Sequence, residues 1–294
     1  MKEDSRPVMV SIRCLVYNHE PFLRQCLEGF VMQQTNFRFE AIVHDDASTD
    51  QSAAIVREYA EKYPEIIKPV LETENQYSKG RGLLDHIMDE HIRGKYVAVC
   101  EGDDYWTDPL KLQRQFDFME SHPECSLCFH ANEDLLPTGE KVVHRPSVVK
   151  ELYSVEDALN GGGGFMATCS LFYRWEYLLG EGRPDFWRKS PVGDLPLMLF
   201  FASKGYLGYI DEVMSVYRKQ AVGSWSARQD TLKKRTRHHK IILQLYDSFD
   251  EYTGYRYHTS IKAKKDRNIK GHRKDAFKSI FRYIRDKVKG ILPH

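Results

Sequence analysis

Three carboxylates fall within four residues at Glu101-Gly102-Asp103-Asp104, directly after the apolar run Tyr96-Val97-Ala98-Val99-Cys100. Two like charges about 4 Å apart repel by roughly 4 kcal/mol at an effective dielectric of about 20. A chain that accepts this repulsion where a buried strand ends is built to hold a cation there. A second acidic group, Asp45-Asp46 with Ser48, Thr49 and Asp50, closes another apolar run. It can serve a ligand or cap the helix that follows it. A third apolar run, Val8 to Val16, ends in Tyr17-Asn18-His19-Glu20-Pro21, with Pro21 suited to the first turn of a helix.

These groups need elements to position them. Val8 to Val16 reads as a buried strand whose interior Arg13 must find a partner. Helical spacing of Phe22, Leu23, Cys26, Leu27 and Phe30 runs on to about Gln34, and a second strand covers Phe37 to His44. A helix from Ser52 to Tyr63 is stopped by Pro64, and Ile66 to Leu71 makes a third strand. Asn75 to Gly82 is a polar loop carrying Lys79 and Arg81, followed by a helix from Leu83 to Ile92 and the strand that ends at Glu101. This alternation predicts an α/β fold with a doubly wound, mostly parallel sheet, in which ligands bind beyond the carboxyl ends of the strands. Tyr17-Asn18, Asp45-Asp46 and Glu101-Asp103-Asp104 then converge on one crevice.

The second half is less regular. A helix follows Pro109 as far as Ser121, and Ser126 to Val149 reads as strand and loop. Gly161 to Gly164 cannot sit inside a stable element, which leaves a hinge or a backbone that approaches a ligand closely. A strand over Ala167–Tyr173, a helix from Gly193 to Ser203 and two short strands, Tyr206–Ile210 and Val213–Tyr217, come next. The predicted organisation is one domain over 1–227 and a basic helical extension over 228–294.

Composition describes an ordinary soluble globular chain, with 41% hydrophobic and 29% charged residues. No run approaches the roughly 18 apolar residues of a spanning helix. Met1 to Pro7 is charged and lacks a signal peptide's apolar segment, so a cytoplasmic protein is expected. The six cysteines are scattered through apolar runs, as reduced core thiols are. His122, Cys125, Cys128 and His130 do not read as a zinc site, because residues three apart on a strand face opposite sides. The net charge of +1 conceals an asymmetry: from Arg228 to His294 there are 19 Lys and Arg against 7 Asp and Glu. That basic region calls for a phosphate-rich neighbour.

The ordered set Ser11-Ile12 through Tyr17-Asn18-His19-Glu20-Pro21, then Asp45-Asp46-Ala47-Ser48-Thr49-Asp50, then Glu101-Gly102-Asp103-Asp104 with Pro109, resembles the family 2 glycosyltransferases. The resemblance covers roughly residues 8 to 226. It implies the GT-A fold and inverting transfer of a sugar from a nucleotide-sugar, a UDP-sugar on this reading, to an acceptor hydroxyl. It places Asp46 on the uracil imide and Tyr17 on the base, with Asn18 and Glu20 in the same nucleotide-binding motif. Lys79 and Arg81 occupy the loop where similar enzymes put a cation near base or phosphate, although a solvated loop has the same composition. Asp103 and Asp104 match the metal-binding acidic motif, Asp103 towards the ribose and Asp104 towards Mg²⁺ or Mn²⁺, hard ions that suit carboxylates and a diphosphate. Glu101 stands where many relatives carry Asp.

Asp194 falls where the family's catalytic base lies, with Gly193 replacing the usual Glu. Arg218 and Lys219 stand near a position where many relatives have a His, and imply direct pairing with the diphosphate. Trp106 implies part of the sugar-side wall, with core packing as the alternative, and Trp225 divides in the same way. Two other readings compete. A nucleotidyltransferase should carry a Gly-rich basic loop after the first strand, where this chain has Tyr17-Asn18-His19-Glu20. A non-catalytic member of the fold would draw on Gly193 and the missing His. The expected partners are a nucleotide-sugar, a glycan or lipid-linked acceptor of a surface polysaccharide, and a membrane surface met by the basic extension with Ile280, Phe281, Tyr283, Ile284 and Val288. No nucleic acid is expected, because the acidic body would repel it.

Overall fold

The computed structural model describes residues 6–190, 192–219 and 231–289. Strands β1 (Val8–Val16), β2 (Arg38–Asp45) and β3 (Ile67–Leu71) are linked by helices α1 (Glu20–Val31) and α2 (Ser52–Lys62). Next come the one-turn α3 (Gln76–Lys79), α4 (Arg81–His91), the fully buried β4 (Tyr96–Val99) and the two-residue β5 (Tyr105–Trp106). Helix α5 (Lys111–Ser121), β6 (Cys125–Leu135), β7 (Lys141–His144), β8 (Leu152–Tyr153) and α6 (Val155–Gly161) follow. Then come β9 (Phe172–Arg174), α7 (Glu176–Glu181), α8 (Asp185–Arg188), α9 (Asp194–Lys204) and β10 (Tyr206–Arg218). Two long helices, α10 (Leu232–Tyr252) and α11 (His258–Lys289), lie beyond.

All ten strands join one sheet in the order β3-β2-β1-β4-β9-β6-β10-β5, with β7 on β6 and β8 on β10. The first four strands of that order are parallel to one another, β6 is parallel to β10, and β9 bridges the two halves antiparallel. The expected doubly wound, mostly parallel α/β sheet is therefore present. Its β1 is buried on one face by Val10, Ile12 and Cys14. On the other face Arg13 finds its partner in Asp85 of α4 at 2.8 Å, and Arg183 pairs with Asp85 and Asp89 beside it. Ser11 ties β1 to β2 and to the turn before β4, donating to Glu40 at 2.8 Å and accepting the Arg93 and Gly94 amides.

Four local expectations change. Part of the polar loop 75–82 folds as α3, capped by Asn75, whose side chain accepts the Ser78 amide. The strand expected over 167–173 is shorter, because Thr168–Ser170 forms a 3-10 turn ahead of β9. The two late strands are one, β10, whose register shifts between Ile210 and Val213 and leaves the Asp211-Glu212 pair that reads as a turn. A further register shift opposite Ser126 brings Cys125 and Cys128 into the same buried cluster, so their spacing does not put them on opposite faces. Burial pushes the Cys125 thiol up to about 12.

The residues after 230 cover the sheet. Ile242, Leu245, Tyr246 and Phe249 of α10 and Ile261 of α11 share one hydrophobic cluster with Phe129, Leu199 and Phe200. The Phe249 ring lies 5.3 Å from that of Phe186, edge-on. Phe249→Ala should cost about 3–5 kcal/mol. In urea the midpoint should fall while a single transition is kept, since helix and sheet share this core.

Candidate active site

The ends of β1 and β2 are locked by an exchange of caps. Neither N-cap residue, His19 of α1 or Gln51 of α2, makes a side-chain cap, although Asp50 accepts the Ser52 amide at 2.9 Å. Asp50 accepts the Glu20 amide at 3.0 Å, Ser52 accepts the His19 amide at 2.9 Å, and Glu20 accepts the Gln51 amide at 3.1 Å. Asn18, in the left-handed region at φ 57°, accepts from Thr49 at 2.8 Å while its own amide donates to Ser48 at 2.9 Å. Asn18 and Glu20 thus serve as the joint between two loops. Tyr17, 46% exposed, stands on that joint at the carboxyl edge of the sheet.

Asp46 is buried and holds α3. Its two oxygens accept the amides of Gln76 at 2.6 Å and Tyr77 at 3.1 Å, and the Asn75 side chain donates to its carbonyl. The capping anticipated for the following helix α2 is given instead to a segment 30 residues away. Lys79 pairs with Glu74 at 2.6 Å on the surface. Arg81 opens α4; its side chain lies outside the described residues.

The acidic motif packs against the same joint. The Gly102 amide donates to the Leu15 carbonyl at 2.9 Å, and a Cβ at Gly102 would stand 2.8 Å from His19 Nδ1 and 3.0 Å from Val16. Only glycine lets the loop come this close. Asp104, 1% exposed, accepts the Arg218 amide at 2.8 Å. Burial, with Asp103 and Glu101 adding to it, holds the Asp104 carboxyl well above the usual range against the pull of Arg218. The Arg218 guanidinium donates to the Asp103 carbonyl and to Gln25, and lies over the rings of Tyr105 at 4.6 Å and Phe22 at 4.9 Å. Lys219 turns away to Asp134 at the end of β6, 3.3 Å away. Glu101 is exposed.

Trp106 corrects the expectation of a sugar-side wall. It is 2% exposed, donates through its indole N–H to the Cys169 carbonyl at 2.9 Å, and meets Phe30 edge-on at 4.9 Å. The Lys111 ammonium sits 3.9 Å from the ring centroid, so no face is left for a sugar. Trp225 lies outside the described residues.

Asp194 is the first residue of α9 and places its carboxylate in the helix's first turn. Gly205 alone separates α9 from β10, so the helix runs back along the sheet and its first residue lies towards the carboxyl edge. His238 of α10 feels the Asp194 charge; burial lowers its pKa and Asp194 opposes the shift. His238 went unnoticed in the sequence, and nothing in a basic helix 44 residues downstream marks it. His19 reads as part of a turn, yet its ring packs against Gly102. Its imidazole is lowered by burial against Asp103, Asp50 and Asp45.

Among the described residues no three His, Cys, Asp or Glu side chains converge as a ready-made metal cage. The donor set nonetheless fits a divalent ion of the Mg²⁺ type, which takes one or two carboxylates and completes its shell from substrate phosphates. Asp104, crowded and pushed towards protonation, is a group whose charge such an ion would relieve.

Residues 11–174 match the family described as Glycosyl transferase family 2. An uncharacterized protein of Mycobacterium bovis is 34% identical over 255 residues, covering 84% of this chain and 70% of its own length. The putative glycosyltransferase EpsE of Bacillus subtilis is 34% identical over 68% of this chain and 69% of its own. The putative teichuronic acid biosynthesis glycosyltransferase TuaG, from the same organism, is 30% identical over 76% and 85%. In structure, S. aureus TarS in complex with UDP-GlcNAc superposes with a TM-score of 0.62 at 17% identity, covering 81% of this chain and 66% of that one. The mannosyltransferase PcManGT of Pyrobaculum calidifontis, in complex with GDP-Man and Mn²⁺, gives a TM-score of 0.57 at 17% identity over 90% and 73%. The α/β sheet and these matches make this chain a glycosyltransferase with a GT-A-type fold. The chain belongs to glycosyl transferase family 2.

Two outcomes follow from this geometry. Asp46→Ala leaves two amides without acceptors, a loss of about 1–3 kcal/mol for each that stays buried. Hydrogen exchange at Gln76 and Tyr77 should speed up at least about tenfold, ahead of exchange in β1. Lys111 is held down to about 8 by burial, below its ordinary 10.5. Between those values the unfolded chain binds the proton and the folded chain does not, so stability from this group rises with pH. Wild type should gain up to about 3 kcal/mol on Lys111→Met between the two values, read from paired urea titrations.

Proposed function

We propose that this protein is an inverting, metal-dependent glycosyltransferase that moves a sugar from a UDP-sugar to an acceptor hydroxyl. The acceptor is a glycan or lipid-linked intermediate of cell-surface polysaccharide or lipopolysaccharide assembly, met in the cytoplasm at the inner face of the plasma membrane. The observation that carries the reading is the meeting of the Tyr17–Asn18 joint, Asp46 and the Glu101–Asp104 motif at one sheet edge, with Asp194 heading a helix towards that edge. The names of EpsE and TuaG, and the UDP-GlcNAc and GDP-Man complexes of TarS and PcManGT, support the donor class and the setting.

Each residue then has a task. Tyr17 offers its exposed face to the uracil ring, and Asp46 accepts the imide N–H with the lone pairs that the α3 amides leave. Asn18 and Glu20 keep that wall rigid. Asp103 takes the ribose, and Asp104, with Glu101, would hold Mg²⁺ or Mn²⁺; when bound, such an ion would supply positive charge beside the departing diphosphate. Arg218 and Lys219 add fixed positive charge on the β10 side, and Lys79 and Arg81 stand by the base. Asp194 takes the proton of the acceptor hydroxyl on the face of the sugar opposite the leaving group, which inverts the anomeric centre.

UDP with Mn²⁺ should raise the melting temperature, because both bind only the folded chain. No shift with the two together would sink the reading. Asp194→Asn should keep that shift and lose transfer by about 10²–10⁴-fold in a screen of UDP-sugars. Transfer that survives the substitution would put the base elsewhere.

A further inference from the structure

Helix α11 spends one face on α10. Ile261 is buried there, Lys265 pairs with Asp247, His272 stacks on His239 at 4.3 Å and bonds Thr236 at 3.2 Å, and Ser279 accepts from Arg235 at 3.2 Å. The opposite face carries Lys270, Arg273, Lys274, Phe277, Lys278 and Phe281, all exposed. At about 100° per residue these six fall within a stripe roughly 140° wide, with the two phenylalanines near its centre. Phe277 and Phe281 are 71% and 64% exposed, and their rings stack on each other 6.3 Å apart. The helix as a whole has twelve Lys and Arg against three Asp. None of the three lies in the stripe between Lys270 and Phe281.

We infer that α11 docks the protein on an anionic lipid surface through this face. Paired aromatic rings enter the boundary between headgroups and acyl chains, while the flanking ammonium and guanidinium groups meet lipid phosphates. The two parts need each other: cations alone bind loosely and are screened by salt, and two rings alone do not select an anionic surface. No helix among the described residues is long and apolar enough to cross a membrane, so attachment by this face is peripheral. A single-stranded nucleic acid also meets cations and rings, but in a groove whose rings are spaced for successive bases. Here the rings close on each other on a convex helix, with no gap for a base. The inference does not rest on the donor, the acceptor or the role of Asp194.

The full chain is to be sedimented with phosphatidylcholine vesicles, pure or with about 30 mol % phosphatidylglycerol, at about 0.05 M and about 0.5 M salt. Retention on the anionic vesicles at low salt should exceed that on the neutral ones, or at high salt, by at least about tenfold. Phe277→Ser with Phe281→Ser should lower it about tenfold, and so should Lys274→Glu with Lys278→Glu. Melting temperatures should not change, because all four side chains are exposed. Equal retention on neutral vesicles, none on anionic ones, or retention untouched by both double variants overturns the inference. A gel shift of single-stranded oligouridine without vesicle retention overturns it in favour of nucleic acid.

Discussion

Everything at the carboxyl edge depends on one contact, the Asp104 carboxylate accepting the Arg218 amide across 114 residues. A buried carboxylate is costly unless it is bonded, and this one is crowded by Asp103 and Glu101 as well. The end of β10 therefore has to stay against the loop after β4. Strand β5 reinforces the joint by pairing Tyr105 and Trp106 with Val216 and Ser215, and the Thr107 amide continues it to Met214. The cost of the acidic cluster is borne by β10 and by the two-residue strand β5, which follows the motif and pairs antiparallel with β10.

The other side of the crevice is rigid for a different reason. Loops that end strands usually satisfy their own helix termini. Here the loop after β2 bonds its own amides through Asp50 and Asp45, and the loops after β1 and β2 also satisfy each other through Glu20, Asp50, Ser48 and Ser52. Neither loop can move without unpairing the other's amides, and Gly102 is wedged against the end of β1 and His19. The arrangement preorganises a wall before any ligand arrives, which lowers the ordering cost of binding.

The parallel half of the fold was legible because each unit is short and its apolar spacing switches cleanly between strand and helix period. Arg13 announced a buried partner, and Asp85 supplies it. The reading failed where meaning depends on distant contacts. Trp106 lies beside Asp104 in the chain, but the alternation of β5 turns it into the core over Lys111. Asp46 reads as a nucleotide contact, with a cap for the next helix as the alternative, and its contact to α3 lies 30 residues on. Asp211-Glu212 looks like a turn because charged residues interrupt an apolar run, yet the ladder passes them as a register shift. No local signal separates these cases.

The charge asymmetry of the chain takes on a different sense in three dimensions. A basic region joined to an acidic body reads as an appendage, but α10 seats Leu245, Tyr246 and Phe249 in the sheet's own core. The helix that carries the surplus charge is thus held firmly, and α11 is fixed in turn by Lys264 and Arg267 on Asn160 at the end of α6. Those contacts sit beside the glycine run, where the Lys264 ammonium would lie 2.8 Å from a Cβ on Gly162. Gly162 has φ 69°, the left-handed region that favours glycine, whereas the Lys264 ammonium ends a flexible side chain that can shift. Within the run it is Gly162 that meets α11, through Lys264, while α11 and the Asp194 helix both pack on α6.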